Sequence, residues 1–238
     1  MKPFYLIAIV FILSGCSSNT IEITGTAKGM DGGVITITGL SGKTYFTEII
    51  KSGGFTINKQ TLPAYGYFTL SVLAGDISHD YEIYLEAGKY AIDITQKDGQ
   101  YLSIKTDSKI QNNLSAYYNL ENSMADKFRR EDAMWNARLR EPKTQSLPEA
   151  EFNVIMDHIA AGKKREHGLT IATIDMFIKK YPQNDIVPHI IGNLDFAKDP
   201  EPYYLLYKKL SPQAQNSEEG KQLGQQLHKL VKNQQALN

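Results

Sequence analysis

Cysteine is nearly absent from this sequence, since Cys16 is the only one in 238 residues. A single thiol excludes an intrachain disulfide, a dithiol redox pair and a metal site built from several thiolates. Neither sign of charge is in excess, because 26 Lys and Arg residues balance 26 Asp and Glu residues. Nucleic-acid-binding domains usually carry a basic patch or stripe. The composition therefore argues against a nucleic-acid partner.

Long apolar runs are also missing, and the most marked one is short. Ten mostly apolar residues, 4–13, follow Lys2. As a helix they would be about 15 Å long, roughly half of the hydrocarbon core of a bilayer. This length is typical of the hydrophobic region of a signal peptide rather than of a membrane-spanning helix. The run ends in Leu-Ser-Gly-Cys at 13–16, a tetrad that resembles the lipobox of bacterial lipoproteins.

The lipobox resemblance implies processing and an anchor. Residues 1–15 would be a signal peptide, and the Cys16 thiol would receive a diacylglycerol. Residues 16–20 would form the lipidated N-terminus and a short tether. Several acyl chains hold a protein firmly, at about 0.8 kcal/mol for each buried methylene. Because no acidic residue directly follows Cys16, we expect the periplasmic side of the outer membrane, with the cell surface or the inner membrane as alternatives.

Short β-type runs separated by glycine-containing turns occupy residues 21–107. The first two, 21–26 and 34–38, alternate apolar with polar residues, and the turn residues 30–33 between them predict a hairpin. Further β-type runs are 44–50, 55–57, 65–73, 81–85, 90–94 and 101–104. Their regular spacing predicts an antiparallel β-sandwich or a barrel-like domain.

The hydrophobic period changes near residue 107. Apolar residues recur at three- and four-residue steps over 110–139, which predicts a long amphipathic helix. Ser108 and Gln111 are spaced as a capping box at its start. Trp135 lies on the apolar stripe, where packing between helices is favoured over contact with a ligand.

Further helices are predicted to fill the remainder of the segment 108–238. Ser146 with Glu149 forms a second capping box before a helical pattern that runs to Pro182, with a break expected near Gly162 or Gly168. Helix starts are also predicted at Asn184 or Asp185, at Asp199-Pro200, and at Asn216 or Ser217. Strands followed by helices, without βαβ alternation, predict the α+β class.

Turn and cap segments carry a second resemblance. They are Gly-Gly-Phe-Thr-Ile at 53–57, Tyr-Leu-Glu-Ala-Gly at 84–88, Tyr-Pro-Gln-Asn at 181–184, and the pairs 216–217 and 220–221. Together they resemble the N-terminal region of TlpA-like thiol-disulfide interchange lipoproteins of the Bacteroidota, over residues 21–230. In that family a β domain of unknown function and a helical segment precede a thioredoxin-like domain.

The family's redox chemistry depends on a Cys-x-x-Cys pair, and these 238 residues contain none. Thiol-disulfide exchange requires an attacking thiolate, and the thiol of Cys16 is expected to be acylated. The resemblance therefore implies the fold and transfers no catalytic residue.

Histidines are the remaining candidates for metal ligands or catalytic bases. No pair of them has a zinc-ligand spacing or matches His-Glu-x-x-His. We expect each to be a solvated surface residue; they are His79, His158, His167, His189 and His228.

Aromatic residues suggest one candidate binding face. Tyr65 and Tyr67 would project from the same face of a strand, with Phe68 on the opposite face. An open pair of tyrosines could bind a sugar, a peptide or a partner protein. The alternative is that they pack across strands of an antiparallel sheet.

The expected function follows from the anchor and from the missing chemistry. We expect a non-enzymatic binding or scaffold module without a cofactor or metal, held at a membrane through Cys16, with an envelope protein or a small ligand as its partner. The alternative is an accessory subunit of redox machinery that works in trans with a separate thioredoxin-like protein.

Overall fold

The computed structural model describes residues 19–94 and 101–237. The predicted signal peptide, Cys16 and most of the predicted tether lie outside the described residues. The described part has strands first and helices afterwards, which confirms the α+β class. No helix within these residues is both long and apolar enough to cross a membrane.

The β region is built from two four-stranded sheets. One has the order β4-β1-β7-β8 and the other β3-β2-β5-β6. A strand is found at each of the predicted β-type runs, with ends that differ by a few residues. The strands are β1 Thr20–Thr26, β2 Val34–Gly39, β3 Thr44–Ile49, β4 Gly54–Thr61, β5 Gly66–Ala74, β6 Ile77–Leu85, β7 Gly88–Asp93 and β8 Ser103–Thr106.

The predicted hairpin between the first two strands is wrong. β1 pairs with β4 on one edge and with β7, in parallel, on the other. β2 lies in the second sheet between β3 and β5. The turn residues 30–33 therefore carry the chain from one sheet to the other. Turn residues favour a change of direction, but they do not determine which strand the chain pairs with next.

A single apolar core fills the space between the sheets, so the β region is a sandwich. Each strand that crosses it alternates buried and exposed positions, as period-two side chains require. Ile21 and Ile23 of β1 lie in this core together with Leu70 and Val72 of β5. The predicted sandwich is thus confirmed, with the parallel pairing of β1 and β7 as an added feature.

Helices follow the sandwich, beginning with two long antiparallel ones. Each has 32 residues, which corresponds to about 48 Å at 1.5 Å per residue. The helices are α1 Lys109–Arg140, α2 Glu149–Lys180, α3 Val187–Gly192, α4 Pro200–Tyr207, α5 Pro212–Asn216 and α6 Glu218–Leu237. A short 3-10 helix, Pro142–Ser146, joins the first two.

The start of α1 is capped as predicted, but only in one direction. The Ser108 hydroxyl accepts from the backbone N–H of Gln111 at 3.2 Å. The Gln111 side chain does not complete a capping box, because it contacts the β region instead, as described below. Ser217 likewise accepts from the backbone N–H of Gly220 at 3.0 Å at the start of α6.

Two predictions for α2 are wrong. Ser146 lies in the 3-10 helix, and α2 begins after Pro148 without a side-chain cap. The helix also continues through Gly162 and Gly168 without a break. One glycine costs about 1 kcal/mol relative to Ala in a helix, which packing along the facing helix can offset.

The helical region has its own core, at the base of the long hairpin. Leu114 and Tyr117 of α1 pack there with Phe177 of α2 and with residues of α3, α4 and α6. Two tyrosines of the sandwich, Tyr67 and Tyr84, also pack against this core. The β and helical regions therefore meet across the outer face of the sheet that contains β5 and β6.

The far end of the hairpin has a different character. We call residues 125–165 the arm, and the parts of α1 and α2 outside it the root. Among arm residues whose side chains are described, only Thr144 and Ile155 are buried. The arm consequently rests on the packing of its two helices on each other.

Candidate functional site

The candidate site is centred on β6, which is the edge strand of its sheet. An edge strand presents unpaired backbone groups, and proteins usually cover them. Here two side chains do so. The Tyr101 hydroxyl donates to the carbonyl of Glu82, and the Gln111 side-chain oxygen accepts from the backbone N–H of Tyr84 at 2.6 Å. The beginning of α1 is thereby joined to the C-terminal half of β6.

The carboxylate of Glu82 accepts hydrogen bonds from α1 and from α3 with its C-cap residue. Its Oε2 accepts from the Tyr118 hydroxyl on α1 at 2.8 Å. Its Oε1 lies 2.9 Å from Nε2 of His189 on α3 and accepts from Nδ2 of Asn193 at 3.3 Å. Glu219 on α6 approaches the other side of the imidazole, with Oε1 3.3 Å from Nδ1 of His189. We call Glu82, Tyr118, His189 and Glu219 the junction cluster.

His189 corrects the expectation that all five histidines are solvated. Its side chain is only 7% exposed, because α3 is a short helix with Val187 through Ile191 all buried. The imidazole also stacks on the ring of Tyr67, with centroids 3.3 Å apart and planes within 3°. No sequence pattern on a six-residue helix distinguishes a buried face from an exposed one.

The junction cluster holds a protonated imidazole between two carboxylates. Burial alone would lower the pKa of His189, but the hydrogen bonds that it donates to Glu219 and Glu82 raise it to about 9. Burial likewise works against ionisation of Glu82, yet hydrogen bonds from His189 and Tyr118 hold the pKa of that carboxyl below its usual value. At neutral pH His189 is a cation, and both of its ring nitrogens donate.

The tyrosines around Glu82 remain protonated donors. Burial and the charge of Glu82 raise the pKa of Tyr118 well above its usual range, and burial raises that of Tyr101. Each hydroxyl directs its single proton to Glu82, Tyr118 to the carboxylate and Tyr101 to the backbone carbonyl. Their rings are stacked with centroids 4.6 Å apart. The Tyr101 oxygen also accepts from Nε2 of Gln111 at 3.3 Å, so the acceptor lone pair left for a ligand is that of the Tyr118 oxygen.

A cleft of about 280 Å³ opens beside this network, between β6 and α1. Small-molecule sites are concave, with a few fixed polar groups among aromatic or apolar walls, and this cleft has that composition. Its lining residues are His79, Asp80, Tyr81, Glu82, Tyr101, Tyr118 and Asn122.

The two tyrosines predicted to form an open face are placed differently from each other. Tyr65 is 44% exposed, and its hydroxyl donates to Oδ1 of Asn19 at 2.8 Å. Tyr67 is half-buried, pairs with Tyr84 across β5 and β6, and has its ring covered by His189. Tyr67 therefore follows the cross-strand alternative, and the two rings do not share an open platform.

The other histidines lie apart from the junction cluster. His158, His167 and His228 are exposed, and His79 is half-buried at the cleft. The ring of His158 stacks on Trp135 of the facing helix at 3.8 Å, which confirms interhelical packing for Trp135. In residues 19–94 and 101–237, no group of three or more His, Cys, Asp or Glu side chains is arranged to hold a metal ion.

The site residues that sequence reasoning missed are Glu82, Tyr101 and Tyr118. Glu82 follows the normal alternation of a half-buried strand, so it reads as a solvent-facing position. Tyr101 is only the first residue of a β-type run, and Tyr118 lies within the predicted first helix without a feature that marks it. The one available signal was indirect: a polar Gln111 inside the first turn of an apolar-striped helix, where its side chain needs a partner.

Comparisons with known proteins give no information on the function of this chain. No protein-family model, curated protein or solved structure matches the chain.

Proposed function

We propose that the protein is a membrane-anchored lipoprotein, facing the periplasm, that acts as a non-catalytic binding module with its ligand site in the cleft between β6 and α1. The observation that carries this proposal is the cleft itself. Its walls are held in place by hydrogen bonds among Glu82, Tyr101 and Tyr118 rather than by mobile surface chains. A site whose groups are already fixed loses little conformational entropy when a ligand binds.

The same hydrogen bonds argue for binding without chemical conversion. A general base must have a free lone pair within reach of the substrate, and a nucleophile needs such a base beside it. The His189 imidazole is protonated and contacts a carboxylate on each side. The Tyr118 hydroxyl donates its hydrogen bond to the carboxylate of Glu82. The groups that most resemble catalytic ones are thus engaged in holding the β region against the helices.

A direct test uses the low-molecular-weight fraction of an envelope extract. We expect this fraction to raise the melting temperature of the purified protein, because a ligand that binds only the folded state stabilises it. The variant Asn122→Phe, which fills the cleft mouth, should lose that response. Mass spectrometry should recover the bound compound chemically unchanged.

The outcomes of this test separate binding from catalysis. An equal response of the filled variant would remove the cleft from the proposal. A compound that is consumed during incubation would overturn the non-catalytic part. An exposed α1 position outside the cleft, changed as Asn112→Phe, provides the matched control.

The anchor has its own test. Cys16→Ser should abolish fatty-acid labelling and leave the precursor uncut by the lipoprotein peptidase, because the lipidated thiol is the feature that the peptidase requires by analogy with other lipoproteins. If the substituted protein were still cut and still attached to membranes, the anchor proposal would be wrong. Cys16→Ala gives the same loss if the thiol, rather than side-chain size, is responsible.

The resemblance to TlpA-like lipoproteins supports a second candidate, an accessory role in thiol-disulfide exchange. In that case a separate thioredoxin-like protein would supply the thiols, since this chain has only Cys16. Affinity purification of the tagged lipoprotein should then enrich a thioredoxin-like protein reproducibly. Purifications that never contain one would exclude this role.

A further inference from the structure

Around Glu82 and Asp80 the hydrogen-bonding capacity that a ligand can use is that of acceptors. The protons of the Tyr101 and Tyr118 hydroxyls are both directed to Glu82. The carboxylates of Glu82 and Asp80 can only accept. A ligand that matches these groups has to bring donors.

The described side chains that line the cleft carry charge of one sign. Asp80 and Glu82 alternate on the same face of β6, as residues two apart do, and both line the cleft. Among the residues that the structure describes, the seven that line the cleft include no Lys or Arg. Arg129, which reaches the side-chain oxygen of Asn122, is itself paired with Asp126.

The nearby cation does not cancel this charge. His189 is the positive partner of Glu82, but it is shared with Glu219. Three carboxylates, those of Asp80, Glu82 and Glu219, thus accompany one imidazolium. Exposed Asp80 adds its charge at the open side of the cleft.

Aromatic rings form the rest of the wall. Tyr81 meets Tyr101 edge to face at 6.2 Å, and Tyr101 stacks on Tyr118. Aromatic rings next to carboxylates are the environment in which proteins recognise organic ammonium groups, through the negative face of the ring and through charge.

We propose that the cleft between β6 and α1 binds a small organic cation, with a primary ammonium group placed between Asp80 and the hydroxyl of Tyr118. This inference rests on the proposed binding function and specifies its ligand class. It adds Asp80 as the residue that selects for positive charge.

The experiment compares three soluble probes that share a four-carbon chain: 1,4-diaminobutane, 1,4-butanediol and succinate. Each is titrated into the full lipidated protein in a neutral maltoside detergent at pH 7 and low salt, and binding is followed by ligand-observed NMR. We expect the diamine to bind with a dissociation constant on the order of 1 mM, as suits so few atoms, and the diol and the dicarboxylate not to saturate.

Two single substitutions on the same hairpin supply the matched pair. Asp80→Asn should weaken diamine binding by about fivefold or more, since it removes one charge at close range. Asp76→Asn, which removes an exposed carboxylate from the β5–β6 turn, should leave the affinity unchanged within about twofold, because that group is screened by water. Asp80 is on the surface, and an unchanged melting temperature checks that both variants are folded.

Several outcomes would overturn the inference. They are no diamine binding up to about 50-fold above the expected dissociation constant, equal binding of the diol, or an Asp80→Asn variant that binds as well as the parent. Saturable binding of the diol or succinate that is lost in Asn122→Phe would refute the ammonium ligand and leave the proposed function standing. Failure of the proposed function is instead detected by the melting-temperature experiment with the envelope extract.

Discussion

The two ends of the long helical hairpin use the same helices in opposite ways. At the root, Leu114, Tyr117 and Phe177 are almost completely buried under the β5–β6 sheet and the short helices. In the arm only Thr144 and Ile155 are buried among the described side chains. The hydrophobic period and the length of the two helices are alike. The sequence pattern that predicts a helix therefore does not determine what each part of the helix packs against. Contact with a third layer separates the half that forms the junction cluster from the half in which the two helices pack mainly on each other.

The largest expected effect comes from one residue type placed at each end of α2. Phe177→Ala should lower the free energy of unfolding by about 3–5 kcal/mol, because the ring is fully buried and its removal leaves a cavity. Phe152→Ala, in the half-buried arm, should cost about 1 kcal/mol. Urea denaturation of both variants measures the difference, and equal losses would show that the arm is packed as tightly as the root.

The second comparison substitutes one histidine that packs near the root and one histidine in the arm. His189→Gln should destabilise the protein by about 3 kcal/mol, because Glu82 and Glu219 lose the cation between them. His158→Gln, which removes an exposed ring stacked on Trp135, should cost less than about 1 kcal/mol. Chemical denaturation at pH 7 checks both. A His189 variant as stable as the parent would mean that the junction cluster does not hold the two regions together.

The pH dependence of stability sharpens the same contrast. The pKa of His189 in the folded protein is raised to about 9 from an ordinary 6.5. Its contribution is therefore complete below about pH 6.5 and is lost as the pH rises through 9, which corresponds to about 2–3 kcal/mol between pH 7 and pH 10.

The same pH titration of the His189→Gln variant isolates this loss from other titrating groups. Its stability should change less over that range than the stability of the parent, whereas the His158→Gln variant should follow the parent. At low pH the contribution of Glu82 to stability changes in the opposite direction. Its lowered pKa gives stability that disappears as the pH falls through the folded-state value. Parallel curves for parent and His189→Gln would show that the imidazolium adds nothing.

The smallest effect is a gain in the helix that joins arm and root. Gly168→Ala should stabilise the protein by about 0.5–1 kcal/mol, since Ala is the better helix former and no atom lies within 4 Å of the added methyl group. Gly162→Ala should gain less, because its methyl group would meet Oδ1 of Asp132 at 2.9 Å. Thermal unfolding resolves the pair. Equal gains would mean that the arm adjusts freely around Gly162.

Much of the fold could be predicted because it depends on local pattern. The strands follow period-two alternation, and α1 begins directly after Ser108, where the cap residue and the apolar stripe agree. The pairing of strands could not be predicted in the same way. The segment 30–33 has the composition of a hairpin turn, yet β1 has β4 and β7 on its two edges and β2 lies in the other sheet. Which edges meet depends on the packing of distant side chains.

The candidate site was harder to predict than the fold. His189 and Glu82 are 107 positions apart along the chain, and neither belongs to a motif. The sequence pattern predicts an open face at Tyr67, but its ring is covered by a histidine that comes from α3. A site assembled from a strand, a long helix and two later helices leaves no spacing in the sequence. Its residues become visible only when the outer face of β5 and β6 is placed against the helices.

The central position of β1 has a mechanical consequence. β1 begins at Thr20, four residues after the proposed lipid attachment at Cys16, a span of at most about 14 Å. A pull between the membrane and the folded protein would therefore enter along the axis of a strand that is bonded on both edges, antiparallel to β4 and parallel to β7. The hydrogen bonds of both ladders would then be loaded together in shear instead of opening one after another. The strand nearest the anchor is placed where it can transmit force to the sandwich.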